Sequence, residues 1–243
     1  MLKLNKINKI NKGIVTLNEK VGENIFKFSF ESPTLNIKPG QYISILCDNL
    51  ILRRPFSVSG FENNIITCFI KLKGEGTRFI SKLNVGEEID FTGPFGNGFN
   101  IENNKRSLLI GAGIGAAPMI YLKSLLSNSI LACGFKSEGE VFCKSDYLKI
   151  GGSICDELDN LISKYNPEKI YACGPRIVLE IISKKAEKLQ IDCEIAFEKV
   201  MACSIGVCRG CIINVKNDKN NMEVINKTVC KDGPVFKGNE IVW

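Results

Sequence analysis

Met201-Ala-Cys-Ser-Ile-Gly-Val-Cys-Arg-Gly-Cys211 is the stretch from which the rest of the chain can be read. Its cysteines, Cys203, Cys208 and Cys211, are spaced C-x4-C-x2-C, and Cys230 follows after eighteen further residues. Four thiolates at this spacing suit a 2Fe–2S cluster. Gly206 and Gly210 are expected to reach φ > 0, letting the loop curl and bring N–H groups towards the sulfurs. Such a cluster moves single electrons, so every other motif is read for where those electrons come from and go.

Structural zinc, also tetrahedral and content with four cysteines, is the alternative. Zinc ribbons usually pair two C-x2-C knuckles, whereas here there is one knuckle and two cysteines at other spacings. A Rieske centre needs two histidines, and the chain has none. The same lack removes imidazole as general base or triad member, which excludes histidine-assisted hydrolysis and favours chemistry borrowed from cofactors.

Composition agrees with a globular redox protein. The chain has 243 residues, 44% hydrophobic and 24% charged, with room for two ordinary domains and a small one. No apolar run approaches the ~20 residues of a membrane span. The opening Met-Leu-Lys-Leu-Asn-Lys has no apolar stretch after it, so no signal peptide is expected. A net charge of +6, with lysines scattered and no aromatic interleaving, does not point to nucleic acid. Eleven cysteines in such a chain imply a reducing, cytoplasmic setting. Seven of them, Cys47, Cys68, Cys133, Cys143, Cys155, Cys173 and Cys193, lie outside the cluster motif; all but Cys173 read as small buried hydrophobes.

Three segments follow from the periodicity. Residues 1–101 hold short alternating runs, Ile25-Phe-Lys-Phe-Ser-Phe30, Gln41-Tyr-Ile-Ser-Ile-Leu46 and Ile65-Ile-Thr-Cys-Phe-Ile-Lys71, separated by turn signals such as Asn63-Asn64. One helix around Thr77 to Leu83 interrupts them, and a small antiparallel barrel is expected. Residues 102–195 alternate apolar runs with helical stretches, which implies a parallel sheet covered on both faces. Residues 196–243 are the cysteine segment, too small for a core of its own, so the cluster is expected to help fold it.

Motifs in the first two segments supply partners for the electron. Arg54-Pro55-Phe56-Ser57 offers a guanidinium for phosphate and a serine hydroxyl for a ring heteroatom. Lys73-Gly-Glu-Gly76-Thr77 is a glycine-rich lead into a helix, an anion site with Thr77 read as N-cap. Together they would hold a flavin dinucleotide, FAD. Gly93-Pro-Phe-Gly-Asn-Gly-Phe99 reads either as a linker or as an aromatic cover for a flat ring. Gly111-x-Gly113-x-Gly115, after a strand and before a helix, resembles a phosphate-binding turn whose third glycine comes one residue early. Cys173-Gly-Pro175 closes a later strand, and its thiol is a candidate neighbour of a nicotinamide ring.

In this order the motifs resemble the ferredoxin reductase superfamily over about residues 10–195. Glu198-Lys-Val-Met-Ala-Cys203 and its continuation, Val229-Cys-Lys-Asp-Gly-Pro-Val-Phe236 and the ending Glu240-Ile-Val-Trp243 look like the electron-transfer subunits of type B dihydroorotate dehydrogenases. The resemblance implies a multidomain chain: an antiparallel β-barrel FAD domain, an α/β parallel-sheet nicotinamide domain and a small C-terminal 2Fe–2S domain. It implies that Arg54 to Ser57, Phe69, Ile70, Lys71, Gly76 and Thr77 contact FAD, and it favours NAD over NADP. It further implies an FMN-containing dihydroorotate dehydrogenase catalytic subunit as partner, in a heterotetramer of two of each. Electrons would then run from that FMN through the cluster and FAD to NAD+, in pyrimidine (UMP) biosynthesis. Two departures stand out: Ser204 where glycine is usual, and Phe56 where an aliphatic residue is common. The rival of the same build is the iron–sulfur flavoprotein subunit of a ferredoxin–NADP reductase or oxygenase reductase system, with Lys136 and Ser137 placed to meet a 2′-phosphate. A zinc-holding module without redox chemistry is the rival of another class.

Overall fold

Two asparagines in left-handed backbone, Asn63 at φ 49° and Asn64 at φ 62°, make the hairpin turn that their sequence announces. They belong to a computed structural model that describes residues 10–48, 50–217 and 220–243, with backbone alone at 220–222. The reading of the first six residues lies outside this range.

Seven antiparallel strands form the first sheet: β1 (Asn11–Gly22), β2 (Ile25–Glu31), β3 (Tyr42–Ile45), β4 (Arg54–Ser57), β5 (Gly60–Glu62), β6 (Ile65–Lys71) and β7 (Glu88–Phe95). Their order is β4-β3-β7-β1-β2-β6-β5. Alternation along β2 and β6 sends Phe28, Phe30, Ile66 and Ile70 into one core, where Phe30 meets Phe91 edge-on at 4.9 Å. Helix α1 (Glu75–Ile80) starts two residues before the expected Thr77, because Gly74 is the N-cap. Strands β4 and β6 come from opposite parts of the sheet, yet they approach each other and nearly close the barrel.

The second sheet is built from β8 (Ser107–Ala112), α2 (Ala116–Leu125), β9 (Ser129–Phe135), β10 (Tyr147–Ile150), α3 (Leu158–Tyr165), β11 (Lys169–Gly174), α4 (Arg176–Lys188) and β12 (Asp192–Phe197). The chain leaves β8 towards β9 and β10, then returns to place β11 on the other side of β8, all in parallel. The order therefore reverses between β8 and β11, and the carboxyl ends of those strands form the crevice where such sheets bind ligands.

After β12 come the cysteine loop, the hairpin β13 (Ile212–Asn217) and β14 (Asn220–Thr228), a turn of helix α5 (Val229–Asp232) and β15 (Val235–Lys237). Strand β15 pairs antiparallel with β12, so the cysteine segment joins the nucleotide-type sheet. Cys211, Ile213, Val215, Val229, Cys230 and Phe236 share one buried cluster with Leu108, Ile110 and Ala172. Packing thus holds the segment in addition to whatever the cysteines bind.

A buried charge cluster in the second unit holds the segment that leads into it. Lys169, 1% exposed, reaches Glu102 at 2.5 Å, Glu194 at 2.9 Å and Asp192 at 3.2 Å. Glu194 in turn accepts from the Asn100 N–H at 2.9 Å, and the Tyr171 hydroxyl donates to the Asn100 carbonyl at 2.6 Å. The connecting segment is thus pinned to β11 and β12.

Candidate functional site

The four cysteines of the C-terminal loop lie as two pairs. The Cys208 N–H donates to the Cys203 sulfur at 3.4 Å, and the Cys230 N–H donates to the Cys211 sulfur at 3.3 Å. The Gly210 N–H points at the Cys208 sulfur, also at 3.4 Å. Among the described residues no three Cys, Asp or Glu side chains converge on a single ion. Two pairs of thiols match two irons with two thiolates each better than one tetrahedral zinc. Burial opposes charge on Cys203, but N–H groups of Cys208, Ile205 and Val207 outweigh it and lower that thiol to about 6. Burial, and then Cys211, push the Cys230 thiol up to about 12. The donor set therefore fits a 2Fe–2S cluster: Cys203, Cys208, Cys211 and Cys230 would hold it, and backbone N–H groups already face the sulfurs.

The loop's curl differs from the expectation. Gly206 is left-handed at φ 84°, but the other two such residues are Ser204 at φ 60° and Arg209 at φ 55°, not Gly210. Serine at 204 thus adopts the conformation that glycine takes more easily. Its hydroxyl is buried without a hydrogen-bond partner.

One residue that sequence reasoning passed over ties this loop to the barrel. Tyr42 is buried on β3, its hydroxyl donating to the carbonyls of Ser204 at 2.8 Å and Cys230 at 3.0 Å. Burial, with the nearby thiols of Cys230, Cys211 and Cys203, drives its ionisation far above the ordinary phenol range, so the donor is permanent. Tyr42 also pairs through its backbone with Ser57, the last residue of Arg54-Pro55-Phe56-Ser57. Nothing local in its strand distinguishes this tyrosine; its partners are more than 160 residues away.

Arg54 to Ser57 form β4, at the barrel seam. Arg53 is held by Asp90 at 2.6 Å, which leaves Arg54 as the arginine of the motif. The Arg54 side chain lies over Gly76, where a Cβ would come within 2.9 Å of its Cγ and Nε, so glycine is required for that approach. Thr77 is not the N-cap: it sits at the third helical position, and its Oγ1 accepts from the N–H groups of Lys73 at 2.9 Å and Gly74 at 3.1 Å. It shapes the lead into the helix from inside. Phe69, Ile70 and Lys71 end β6 across the seam, beyond the reach of β5, which pairs only to Thr67. Ile70 is buried in the barrel core, so only its backbone faces the seam. Lys71 is engaged by Glu140 at 2.7 Å, and Phe69 packs on Phe142 at 4.7 Å.

Gly111, Gly113 and Gly115 follow β8 into α2, with Gly113 at φ 56°. At Gly111 a Cβ would lie 2.5 Å from the Ala116 Cα, and at Gly115 2.4 Å from the Cys173 carbonyl oxygen. The glycine turn and Cys173-Gly-Pro175 are therefore in contact at the crevice between β8 and β11. Burial, and the charge of Glu198, push the Cys173 thiol up to about 12, which keeps it protonated. Glu198 also reaches Lys73, ahead of α1, at 3.7 Å, so the barrel motif and the crevice meet there.

Gly93-Pro-Phe-Gly-Asn-Gly-Phe99 does not present its aromatics as a ring cover. Phe95 and Phe99 are buried, against Tyr42 and Tyr171 respectively. Asn97 binds the backbone of Val235 in both directions, at 2.7 and 2.9 Å, and docks the turn on the C-terminal segment.

Residues 198–242 match the family described as the iron–sulfur cluster binding domain of dihydroorotate dehydrogenase B. The chain is 34% identical to the dihydroorotate dehydrogenase B (NAD+) electron transfer subunit of Caldanaerobacter subterraneus subsp. tengcongensis, over 96% of this chain and 98% of that one. It is 31% identical to the subunit of the same name from Clostridium acetobutylicum, over 93% and 94% of the two chains. Among solved structures, an NADH-dependent reduced ferredoxin–NADP oxidoreductase is similar at TM-score 0.81 and 25% identity, covering 95% of this chain and 90% of that one. Phthalate dioxygenase reductase shares the fold at TM-score 0.64 and 15% identity, over 91% of this chain and 77% of that one.

Proposed function

The chain belongs to the family of dihydroorotate dehydrogenase B electron transfer subunits, and on that footing we propose that it relays electrons from a dihydroorotate-oxidising catalytic subunit to NAD+. The observation that carries this reading is the thread from Ser57 through Tyr42 to Cys230, which fixes the cluster loop to the flavin seam of the barrel. When bound, a 2Fe–2S cluster passes electrons singly and FAD pairs them for a nicotinamide.

The residues of the chain divide that task. Cys203, Cys208, Cys211 and Cys230 hold the cluster. Arg54 binds flavin phosphate, Pro55 and Phe56 shape the ring's wall, and Ser57 meets a ring heteroatom. Phe69, Ile70 and Lys71 would line the other side of the seam, Ile70 by its backbone and Lys71 with its ammonium held by Glu140. Gly76 and Thr77 present the first-turn N–H groups of α1. Gly111, Gly113 and Gly115 seat the nicotinamide dinucleotide's phosphates, and protonated Cys173 lies against its ring. The units assigned to these tasks are 1–101, 102–195 and 196–243.

The partner supplies the dihydroorotate site and an FMN, in an assembly of two copies of each chain. The reaction serves pyrimidine synthesis in the reducing cytoplasm, a setting that eleven cysteines in one chain support. No helix among the described residues is long and apolar enough to cross a membrane.

The test is reconstitution. Mixed anaerobically with a dihydroorotate dehydrogenase B catalytic subunit, the protein should support dihydroorotate-dependent NAD+ reduction that neither chain supports alone. The likeness to a ferredoxin–NADP oxidoreductase favours the second reading, and that assay separates the two. Reduction of the flavin by NADPH in preference to NADH, with no response to dihydroorotate, would replace the first reading by the second.

A further inference from the structure

Two of the seven cysteines outside the cysteine loop, Cys133 and Cys143, stand together along β9, the strand next to β8. Cys133 is fully buried on β9, directly beside Gly111 in the strand register. Beyond the turn at Glu138–Glu140 the chain runs back along that strand before β10 begins. Phe142 packs on Phe135 with ring centroids 5.5 Å apart. Four residues later Asp146 is bonded twice to Leu131, its carboxylate accepting at 2.8 Å and its N–H donating at 2.9 Å. Cys143 lies between these anchors, as Cys133 lies between Phe135 and Leu131, and the two thiols interact directly. Cys143 is half-buried while Cys133 is enclosed, so a reagent from solvent reaches Cys143 first. The contact with Cys133 lowers the Cys143 thiol against the effect of burial; the same contact, with burial, raises Cys133. The more accessible thiol, Cys143, is therefore the one that attacks first.

We propose that Cys143 and Cys133 form a reversible disulfide, with Cys143 attacking and Cys133 resolving, that staples the 136–142 loop onto β9. The oxidant is a low-molecular-weight disulfide. The Cys143 thiolate attacks one of its sulfurs, forming a mixed disulfide and releasing one thiolate. Cys133 then attacks the Cys143 sulfur and expels the second small thiolate, and the protons lost by Cys143 and Cys133 pass to the two released thiolates. Two protein thiols are oxidised by two electrons and one small disulfide is reduced to two thiols.

The stapled loop bridges the two larger units. Its Glu140 holds Lys71 at the end of β6, and its Gly139 carbonyl accepts from the Glu23 N–H at 2.5 Å. Bringing the sulfurs to a bond length of about 2.05 Å draws this bridge towards the strand that flanks Gly111. Nucleotide uptake therefore falls when the disulfide forms. That consequence rests on the functional reading above; the disulfide itself does not.

The cluster-loaded protein is treated anaerobically with oxidised glutathione, alkylated, digested and analysed by mass spectrometry. A Cys133–Cys143 linked peptide should appear, revert with dithiothreitol, persist in Cys155→Ser and vanish in Cys143→Ser. Where Cys143→Ser fails to fold, Cys143→Ala gives the same loss without burying a new hydroxyl. In stopped-flow reduction of the bound flavin, the oxidised wild type should need roughly tenfold more NADH for half-saturation, with Cys143→Ser unchanged by glutathione. Stable glutathione on Cys143 with Cys133 still alkylatable, or a link from Cys143 to another cysteine, overturns the disulfide. A formed disulfide with unaltered NADH dependence overturns its effect on uptake, and leaves the relay reading untouched.

Discussion

The Tyr42 hydroxyl donates to the carbonyl of Cys230 at 3.0 Å, joining a barrel strand to one of the four proposed cluster cysteines 188 positions away. The same hydroxyl serves Ser204 at 2.8 Å, so one buried donor satisfies two loop carbonyls. Tyr42→Phe removes the donor and strands both acceptors, a change expected to cost about 1–3 kcal/mol. Thermal unfolding should move down accordingly, and the visible absorbance of the cluster should bleach faster in air than in wild type. An unchanged bleaching rate would mean that Tyr42 does not brace the loop.

Ser204 offers a complementary change. In the left-handed region at φ 60°, a side chain costs roughly 1–2 kcal/mol relative to glycine. Ser204→Gly relieves that cost and removes a buried hydroxyl without a partner, so cluster retention and melting temperature should both rise. Ser204→Val, β-branched at the same φ, should lower both.

The charge cluster at Lys169 gives a pH signature. Hydrogen bonds from Lys105 and Lys169 hold the Glu102 carboxyl down at about 2, against an ordinary value of 4.5. A group depressed in this way stabilises the fold fully above its unfolded pKa and loses the effect as pH falls towards its folded one. The stability advantage of wild type over Glu102→Gln should therefore be constant near neutrality, begin to shrink below about pH 4.5 and be gone near pH 2. Denaturant unfolding at a series of pH values measures it. Lys169→Met, by contrast, leaves Glu194 buried without its cation and should cost about 3–5 kcal/mol at neutral pH.

Gly115 tests the nucleotide turn. A methyl group there would press on the Cys173 carbonyl at 2.4 Å, which separates the ends of β8 and β11. Gly115→Ala should weaken NADH-driven flavin reduction while leaving the cluster spectrum intact. Equal loss of both would point to general unfolding.

What the sequence revealed divides by the range of the interaction. The Asn63-Asn64 turn and the alternation of β2 and β6 are local patterns that the structure carries through; the cysteine spacing is equally local, and the structure gathers the four cysteines as two pairs. The glycine turn and Cys173-Gly-Pro175 are each legible as strand ends, but that Gly115 meets Cys173 depends on β11 returning beside β8, which alternation alone does not specify. Thr77 was misread because a threonine after glycines serves equally as N-cap or, as here, at the third position binding back to Lys73 and Gly74. The sequence of the Gly93–Phe99 turn does not decide between linker and ring cover because its true partner, Val235, is 138 residues away from Asn97. Tyr42 had no local mark at all: a buried tyrosine on an alternating strand looks like core, and only the folded chain shows what its hydroxyl holds.

The central claim is that electrons cross the cysteine loop on their way between the partner and the flavin, and Cys208→Ser tests it most directly. Cys208 is the exposed member of the four proposed cluster cysteines, so its loss should disturb the fold least. In the variant, NADH should still reduce the bound flavin at close to the wild-type rate, while dihydroorotate-dependent NAD+ reduction with the catalytic subunit should fall to background. Undiminished dihydroorotate-dependent reduction in a variant that has lost its cluster would contradict the account.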